Sequence, residues 1–424
     1  MSFMRFQTRN FSKLQRKPEL MREFIYDSLY NPIYGYFSKN VNIFNSPEPI
    51  NFPKLKDQDD YFRILKTVYD RGSSDQKNQE SKFQQLWHTP SELFKPFYGR
   101  ALTRFITTNN KETKGPLVIY EIGPGNGTLA QNILDCLKSE HDGIYESVEY
   151  NLIEISEQLK KKQTDLLKPI HGNRIKFPNI SILETSDFKE ERPCWIVGME
   201  VLDNLSHDLI KFRTEDGALL EAIVQTDEKA VYGSVPGKYW REFREARDEL
   251  ILEYVAMGDE LGWQWASLKG KPLRRLLERY SPIDYINPWS CEYIPTDAFK
   301  LLKNLTKSFP KHKALFSDFD ELPDAVEGHG GPVVQTRFRG VTVPCSSVLL
   351  ERGLFDIFFP TNFARLSQIH RKLDKAPQRT QQIEKHADFI KKWSDPRDVE
   401  RTTTRSGYNP MIQDFENVSF YSYI

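Results

Sequence analysis

Two groups of residues in this sequence have side chains and spacings suited to chemistry. The first is Glu121-Ile122-Gly123-Pro124-Gly125-Asn126-Gly127-Thr128-Leu129, which follows the apolar run Leu117-Val118-Ile119-Tyr120. An apolar run that ends in an acid and gives way to three alternate glycines reads as a strand, a tight turn and a helix start. Such glycines let the backbone turn sharply and approach a ligand with no Cβ in the way. Amides of the helix start then face the ligand, and Glu121 meets its positively charged part. The second group is acidic: Glu200 and Asp203 within Met199-Glu200-Val201-Leu202-Asp203-Asn204-Leu205, and Asp318 at the end of Ala314–Asp318. One carboxylate of such a set orients a cationic acceptor through paired hydrogen bonds; another receives its proton. Helix capping is the plainer role for Glu200 and Asp203.

The glycine spacing identifies the ligand class. A dinucleotide loop reads G-x-G-x-x-G, whereas this one reads G-x-G-x-G with an acid two residues earlier. That is the usual first motif of S-adenosylmethionine (SAM) methyltransferases. SAM carries an amino acid and a sulfonium instead of a pyrophosphate, so an acidic strand end suits it and repels a pyrophosphate. Gly123, Pro124, Gly125 and Gly127 are assigned to the amino-acid portion, beside Glu121. Glu154, near the end of a second strand at Glu149–Ile155, is placed to accept bonds from both ribose hydroxyls, as an acid does in nicotinamide folds. Asp187, after a third strand at Ile180–Leu183, is placed near the adenine. The structural alternatives are an ordinary glycine-rich turn and a solvent-facing acid at Glu154.

The elements that must hold these residues alternate. Helices at Thr128–Ser139 and Ser156–Leu167 separate the first three strands, and a fourth strand, Cys194–Gly198, leads into Glu200. That alternation predicts a parallel, doubly wound α/β sheet with its ligand beyond the carboxyl ends of the strands. Upstream, Pro18–Tyr30 has helical periodicity and stops at Asn31-Pro32. Residues 39–80 read as a long loop with a short helix near Tyr61–Asp70. Thr89 caps a helix at Pro90 with Glu92 in its first turn, the preceding His88 reads as structural, and Phe94–Thr107 is amphipathic. Downstream, Leu209–Arg213 and Leu219–Gln225 read as strands joined by Glu215-Asp216-Gly217. Residues 238–258 read as a charged amphipathic helix, and a further helix ends at Ser308. Two late strands are expected at Val333–Arg337 and Val341–Val343, then a basic helical stretch to Trp393 and a polar tail ending in Phe420-Tyr421-Ser422-Tyr423. The implied organisation is a transit segment over 1–17, a helical N-terminal cap with a loop insertion over 18–115, and a Rossmann-like core over 116–208. Inserted strands and helices follow over 209–312, the rest of the core sheet over 313–370, and a C-terminal helix and tail over 371–424.

Composition narrows the partners. Lys plus Arg and Asp plus Glu each number 59, so no global basic field points to DNA. Aromatic residues reach 13%, which marks a folded chain. No apolar run is long enough for a transmembrane helix. Cys136, Cys194, Cys291 and Cys345 are scattered, without metal-ligand spacing or a disulfide framework, so no metal is expected. Residues 1–17 hold Arg5, Arg9, Lys13, Arg16 and Lys17, no acid, and interleaved Phe3, Met4, Phe6, Phe11 and Leu14. That is the composition of a mitochondrial transit peptide, which directs the chain to the matrix.

Several segments together resemble the MidA/NDUFAF7-type family, class I methyltransferases of mitochondria and bacteria. They are Pro32-Ile33-Tyr34-Gly35-Tyr36, Thr89-Pro90-Ser91-Glu92, Phe97-Tyr98-Gly99, the loop from Glu121 to Leu129, Met199 to Leu205, Ser317-Asp318-Phe319, and Asp356 to Asn362-Phe363. The resemblance covers roughly residues 18 to 424, and Asp203 to Asp208 looks like the fungal branch. It implies a class I SAM-methyltransferase fold and symmetric dimethylation of an arginine in a protein substrate, a respiratory complex I subunit, in the assembly of that complex. Two departures stand out: Met199 replaces an Asn and Asn362 replaces an Asp.

Three functions compete. The first is a mitochondrial protein-arginine methyltransferase with Glu200, Asp203 and Asp318 acting on the acceptor. The second is a SAM-binding assembly factor with little or no activity, which Met199 and Asn362 favour. The third is a small-molecule methyltransferase, which the long elaboration after Asp208 disfavours.

Overall fold

The computed structural model describes residues 17–39, 41–43, 48–74, 85–87, 89–111, 113–184, 187–213, 216–226, 239–265, 291–323, 325–326, 328–338, 341–374, 376 and 378–424. Most of the proposed transit segment, His88 and Glu215 lie outside the described residues.

A seven-stranded sheet organises the molecule. Its strands are β1 (Val118–Ile122), β2 (Glu149–Ile153), β3 (Ile175–Lys176), β4 (Cys194–Met199), β5 (His312–Phe319), β6 (Gln381–Lys385) and β7 (Val418–Tyr423). They lie in the order β6-β7-β5-β4-β1-β2-β3. β3, β2, β1, β4 and β5 run parallel, while β7 is antiparallel to both β5 and β6. The chain winds outward from β1 in one direction and resumes at β4 in the other. The crevice between the ends of β1 and β4 is therefore the switch point where such sheets bind ligands.

β1 is buried along its whole length, and β4 up to Gly198. This is why their sequences are continuous apolar runs and do not alternate. Ile119, Leu152, Trp195 and Leu315 pack on one face against α2 (Phe97–Asn109), α3 (Thr128–Glu140), α4 (Glu157–His171) and α8 (His386–Trp393). Val118, Tyr120, Ile196 and Phe316 pack on the other against α5 (Glu249–Glu260), α6 (Thr296–Ser308) and α7 (Phe363–Leu373). A third cluster joins α1 (Met21–Tyr30) to a second, five-stranded sheet built from Asp208–Phe212, Leu219–Thr226, Tyr239–Glu245, Cys291–Ile294 and the short Glu19–Leu20. Val333–Phe338 pairs with Val341–Cys345 on one side and Asp356–Phe358 on the other.

The structure departs from the sequence reading in several places. The third strand is Ile175–Lys176, and residues 182–184 form a turn; Pro178, which has no N–H for the ladder, ends the pairing early. Residues 239–245 form a strand instead of the start of a helix, because they pair along Leu219–Thr226; the helix waits for Asp248, whose side chain caps it by accepting from Ile251 N at 3.0 Å. The helix near Tyr61 is longer than expected and spans Gln58–Ser74. The C-terminal stretch is not a helix followed by a polar tail. It supplies β6 and β7, and β7 is buried throughout between β5 and β6. Ser419 and Ser422 give this strand a polar look, yet both are buried in the sheet.

Candidate functional site

Gly123, Gly125 and Gly127 all take left-handed backbone angles, with φ of 62°, 54° and 85°. Glycine adopts these at no steric cost, which is the local reason for the alternate spacing. Gly123 N donates to Ile153 O at 3.2 Å, so the loop leaves β1 still tied to β2. A Cβ on Gly123 would stand 2.9 Å from Val201 Cγ2, so the loop lies against the segment that carries Glu200. Gly127 is the N-cap of α3 and offers no side-chain cap, which leaves the first-turn amides to a ligand. Glu121 is 3% exposed and accepts from the Tyr150 hydroxyl at 2.8 Å. Burial pushes its carboxyl up to about 7; the Tyr150 hydrogen bond opposes this, and the nearby Glu154 adds to it.

Glu154 stands just past β2, where its two oxygens accept from Ser156 N at 2.8 Å and Gln163 Nε2 at 3.0 Å. Each oxygen keeps a lone pair for a ribose hydroxyl. Gln163 Nε2 also donates to Gly125 O at 2.7 Å, so one buried amide ties the ribose-side acid to the glycine loop. Asp187 is exposed on the loop between β3 and β4, and its neighbour Phe188 packs against Tyr120 and Phe309. These residues fit SAM: left-handed glycines at an uncapped helix start, a carboxylate at the strand end and a second carboxylate past the next strand.

The second group of residues surrounds the end of β4. Glu200 has φ of 54°, the one left-handed non-glycine among the described residues, and its N–H donates to Ser317 O at 2.8 Å. That conformation costs a residue with a Cβ roughly 1–2 kcal/mol. It breaks the strand and swings the following turn towards β5. Asp318 closes that turn: its Oδ2 accepts from Leu202 N at 2.7 Å and Asp203 N at 3.2 Å, and its Oδ1 accepts from Phe319 N at 2.8 Å. Asp318 is thus a backbone clamp. Burial pushes its carboxyl up to about 7, against those three bonds.

Asp203 is buried beside Asp318, and its Oδ1 has no hydrogen-bond partner. Burial, then the charges of Asp318, Asp356 and Glu200, hold it well above the usual carboxylate range. Glu200 keeps some exposure; desolvation and then Asp318 push it the same way. The sequence reading did not assign a site role to Asp356. It is fully buried, accepts from Asn204 Nδ2 at 3.4 Å through Oδ1, and leaves Oδ2 without a partner. Tyr30 of α1 covers this cluster, donating its hydroxyl to Asn204 O at 3.2 Å. The sequence separates Asp356 and Tyr30 from Asp203 by more than a hundred residues each, so only its late acidic segment hinted at the first.

The two sequence departures have local explanations. Asn362 caps α7, its Oδ1 accepting from Arg365 N at 3.0 Å, a task Asn performs as well as Asp. Met199 takes a contact from the Tyr98 hydroxyl on its sulfur at 3.5 Å. A cleft of about 540 Å³ opens on the far side of Leu202, between α6, α7 and the end of β5, with His207, Glu292 and Arg365 among its walls.

Comparison with known proteins agrees with this geometry. Residues 99–379 match a family described as "Putative S-adenosyl-L-methionine-dependent methyltransferase". The mitochondrial protein arginine methyltransferase NDUFAF7 homolog of Saccharomyces cerevisiae is 19% identical over 395 residues, 87% of this chain and 86% of that protein. The Schizosaccharomyces pombe homolog is 24% identical over 230 residues, 51% of this chain and 46% of that protein. A COG1565 superfamily structure from Burkholderia thailandensis, solved with S-adenosyl-homocysteine bound, superposes with a TM-score of 0.58 at 16% identity, over 96% of this chain and 87% of that one. The fold is that of a class I SAM methyltransferase. The family match covers well over half of the chain, which therefore belongs to the S-adenosyl-L-methionine-dependent methyltransferases of that family, with SAM as its cofactor.

Proposed function

We propose that the protein is a protein-arginine methyltransferase of the mitochondrial matrix, which symmetrically dimethylates an arginine of a respiratory complex I subunit during assembly. Glu200 carries the proposal. A glutamate held left-handed at the end of β4, one residue from the side chain that touches Gly123, sits where a bound cofactor and an acceptor would meet. A strained non-glycine residue persists where the surrounding structure fixes it, and such residues gather at functional sites.

The cofactor supplies an electrophilic methyl group on a sulfonium. Glu121 faces its positive part, Gly123, Pro124, Gly125 and Gly127 form the seat of its amino-acid portion, Glu154 takes the ribose, and Asp187 lies towards the adenine. On the acceptor side, arginine arrives as a cation at any ordinary pH. Methylation requires its charge to be localised and a proton finally lost. Glu200 orients the guanidinium through paired hydrogen bonds, and Asp203, with an oxygen free of partners, takes the proton. Asp318 acts through the turn it clamps. Burial keeps these carboxyls protonated until a cation enters; a guanidinium beside them restores the ionised, basic form.

The yeast relatives carry the arginine-methyltransferase and mitochondrial names, and the acid-free start of the chain suits import. A reporter fused to residues 1–17 that stayed cytosolic would remove the matrix assignment. A SAM-binding assembly factor with little activity is the second reading, and Met199 is what favours it. Replacing Glu200 by Gln separates the two. SAM affinity should stay within a few-fold of wild type while methyl transfer falls by about a hundredfold or more. A fully active Glu200→Gln variant would contradict the role given to Glu200.

A further inference from the structure

The glycine loop is poor in internal support. Three left-handed glycines lead into a helix whose N-cap is itself a glycine, so no cap side chain holds the first turn. A Ser or Asp cap would supply that support but would consume an amide that a ligand needs. The support comes instead from outside. Glu92 Oε1 accepts from Asn126 Nδ2 at 2.8 Å and from Thr128 Oγ1 at 2.7 Å. Both partners are side chains on either side of Gly127. Glu92 is 3% exposed, and Lys95 Nζ lies 3.6 Å from its other oxygen.

Glu92 is itself held in place. Thr89 caps the short Pro90–Leu93 turn by accepting from Glu92 N at 3.3 Å, with Pro90 fixing the first helical position. The next helix then lies tight on α3: a Cβ on Gly99 would meet Asn132 Cβ at 2.5 Å. On the opposite side Lys162 Nζ holds Asn126 Oδ1 at 2.5 Å, and Gln163 holds Gly125 O. Asn126 is therefore gripped from the N-terminal cap and from α4 at once.

We infer that Glu92 is a positioning residue for the cofactor: acting through Asn126 and Thr128, it fixes the glycine loop in its binding shape while leaving the helix-start amides to the ligand. A buried carboxylate with two donors on one oxygen holds more firmly than neutral pairs. The inference rests on the SAM-binding reading and is independent of which acceptor is methylated.

Calorimetry of the full chain with SAM and with S-adenosyl-homocysteine tests it. Glu92→Ala should weaken both ligands by about tenfold or more, because the loop must then be ordered on binding. Glu92→Gln keeps an oxygen acceptor for Asn126 and Thr128, and should restore affinity to within about threefold. Thr128→Val removes one of the two bonds at constant shape and should weaken SAM by a few-fold; it also carries the test if Glu92→Ala does not fold. Combined with Glu92→Ala, it should add nothing further. Wild-type affinity in Glu92→Ala would overturn the inference. So would a Thr128→Val loss that adds in full to that of Glu92→Ala, or a drop in melting temperature in Glu92→Ala with unchanged ligand affinity. Wild-type protein that bound no SAM would instead defeat the cofactor reading itself.

Discussion

The two ends of the site are built on opposite plans. Around the glycine loop, between β1 and β2, each acid has hydrogen-bond donors, Glu121 from Tyr150, Glu154 from Ser156 and Gln163, and Glu92 from Asn126 and Thr128, and of the buried oxygens described there only Glu92 Oε2 and Gln163 Oε1 accept none. At the end proposed for the acceptor, Asp203, Asp318 and Asp356 are buried together with Glu200 beside them, and Asp203 Oδ1 and Asp356 Oδ2 have no partner. The first arrangement is preorganised: its shape is set before the ligand arrives, and binding asks for little reordering. The second stores a desolvation cost: burial holds its carboxyls in the protonated form, and a cation among them favours the ionised one. On the proposed reading, the first end holds a constant ligand and the second gains most from a charged one.

The contrast can be broken at either end. The largest effect belongs to the preorganised one. Gly125→Val puts a β-branched residue at φ of 54°, where such a side chain is a genuine outlier. SAM binding by calorimetry should fall below detection while the far-ultraviolet circular dichroism stays that of wild type. Retained affinity would mean that the loop does not seat the cofactor.

A smaller effect belongs to the acidic end and appears as a pH dependence of stability. Asp318 and Glu121 titrate near 7 in the fold, and Glu200, Asp203 and Asp356 lie above their ordinary values. The folded state therefore holds protons that the unfolded chain releases above about pH 4, and these groups make stability fall as pH rises through 7. His207, His312, His370 and His386 are buried and depressed, so they act in the opposite sense, but that contribution fades by about pH 7.5, a unit above the ordinary imidazole value. Between pH 6.5 and 8 the histidine contribution dies away while the acids still act, and the melting temperature should drop. Asp356→Asn keeps an oxygen for Asn204 and removes one ionisation, so its curve should be shallower over that window. A wild-type curve that rises from 6.5 to 8 would contradict the account of the acidic cluster.

What the sequence made legible follows from whether a residue's task is local. The strands at Val118–Ile122 and Cys194–Met199 are buried on both faces, and their apolar runs say so. The glycines at 123, 125 and 127 are set by their own backbone angles, so their spacing is enough. Glu92, Tyr150 and Asp356 serve partners far away in the chain; Glu92 and Asp356 stand in segments that resemble the family, yet nothing local gives any of the three its task. β7 was hidden for a different reason: Ser419 and Ser422 give a central strand the composition of a tail. Asn362 shows the reverse error. A departure from a family pattern looked like a lost functional group, but the residue caps a helix, where Asn and Asp are interchangeable.

The proposed transfer of the methyl group to arginine can be measured on the whole protein. The direct test is to incubate the full chain with methyl-labelled SAM and a mitochondrial matrix extract lacking the endogenous protein, then hydrolyse the labelled protein to amino acids. Label is expected in symmetric dimethylarginine on one polypeptide of complex I, and none with the Gly125→Val variant. Label in another amino acid, or wild-type protein that binds SAM and labels nothing, would contradict the proposal.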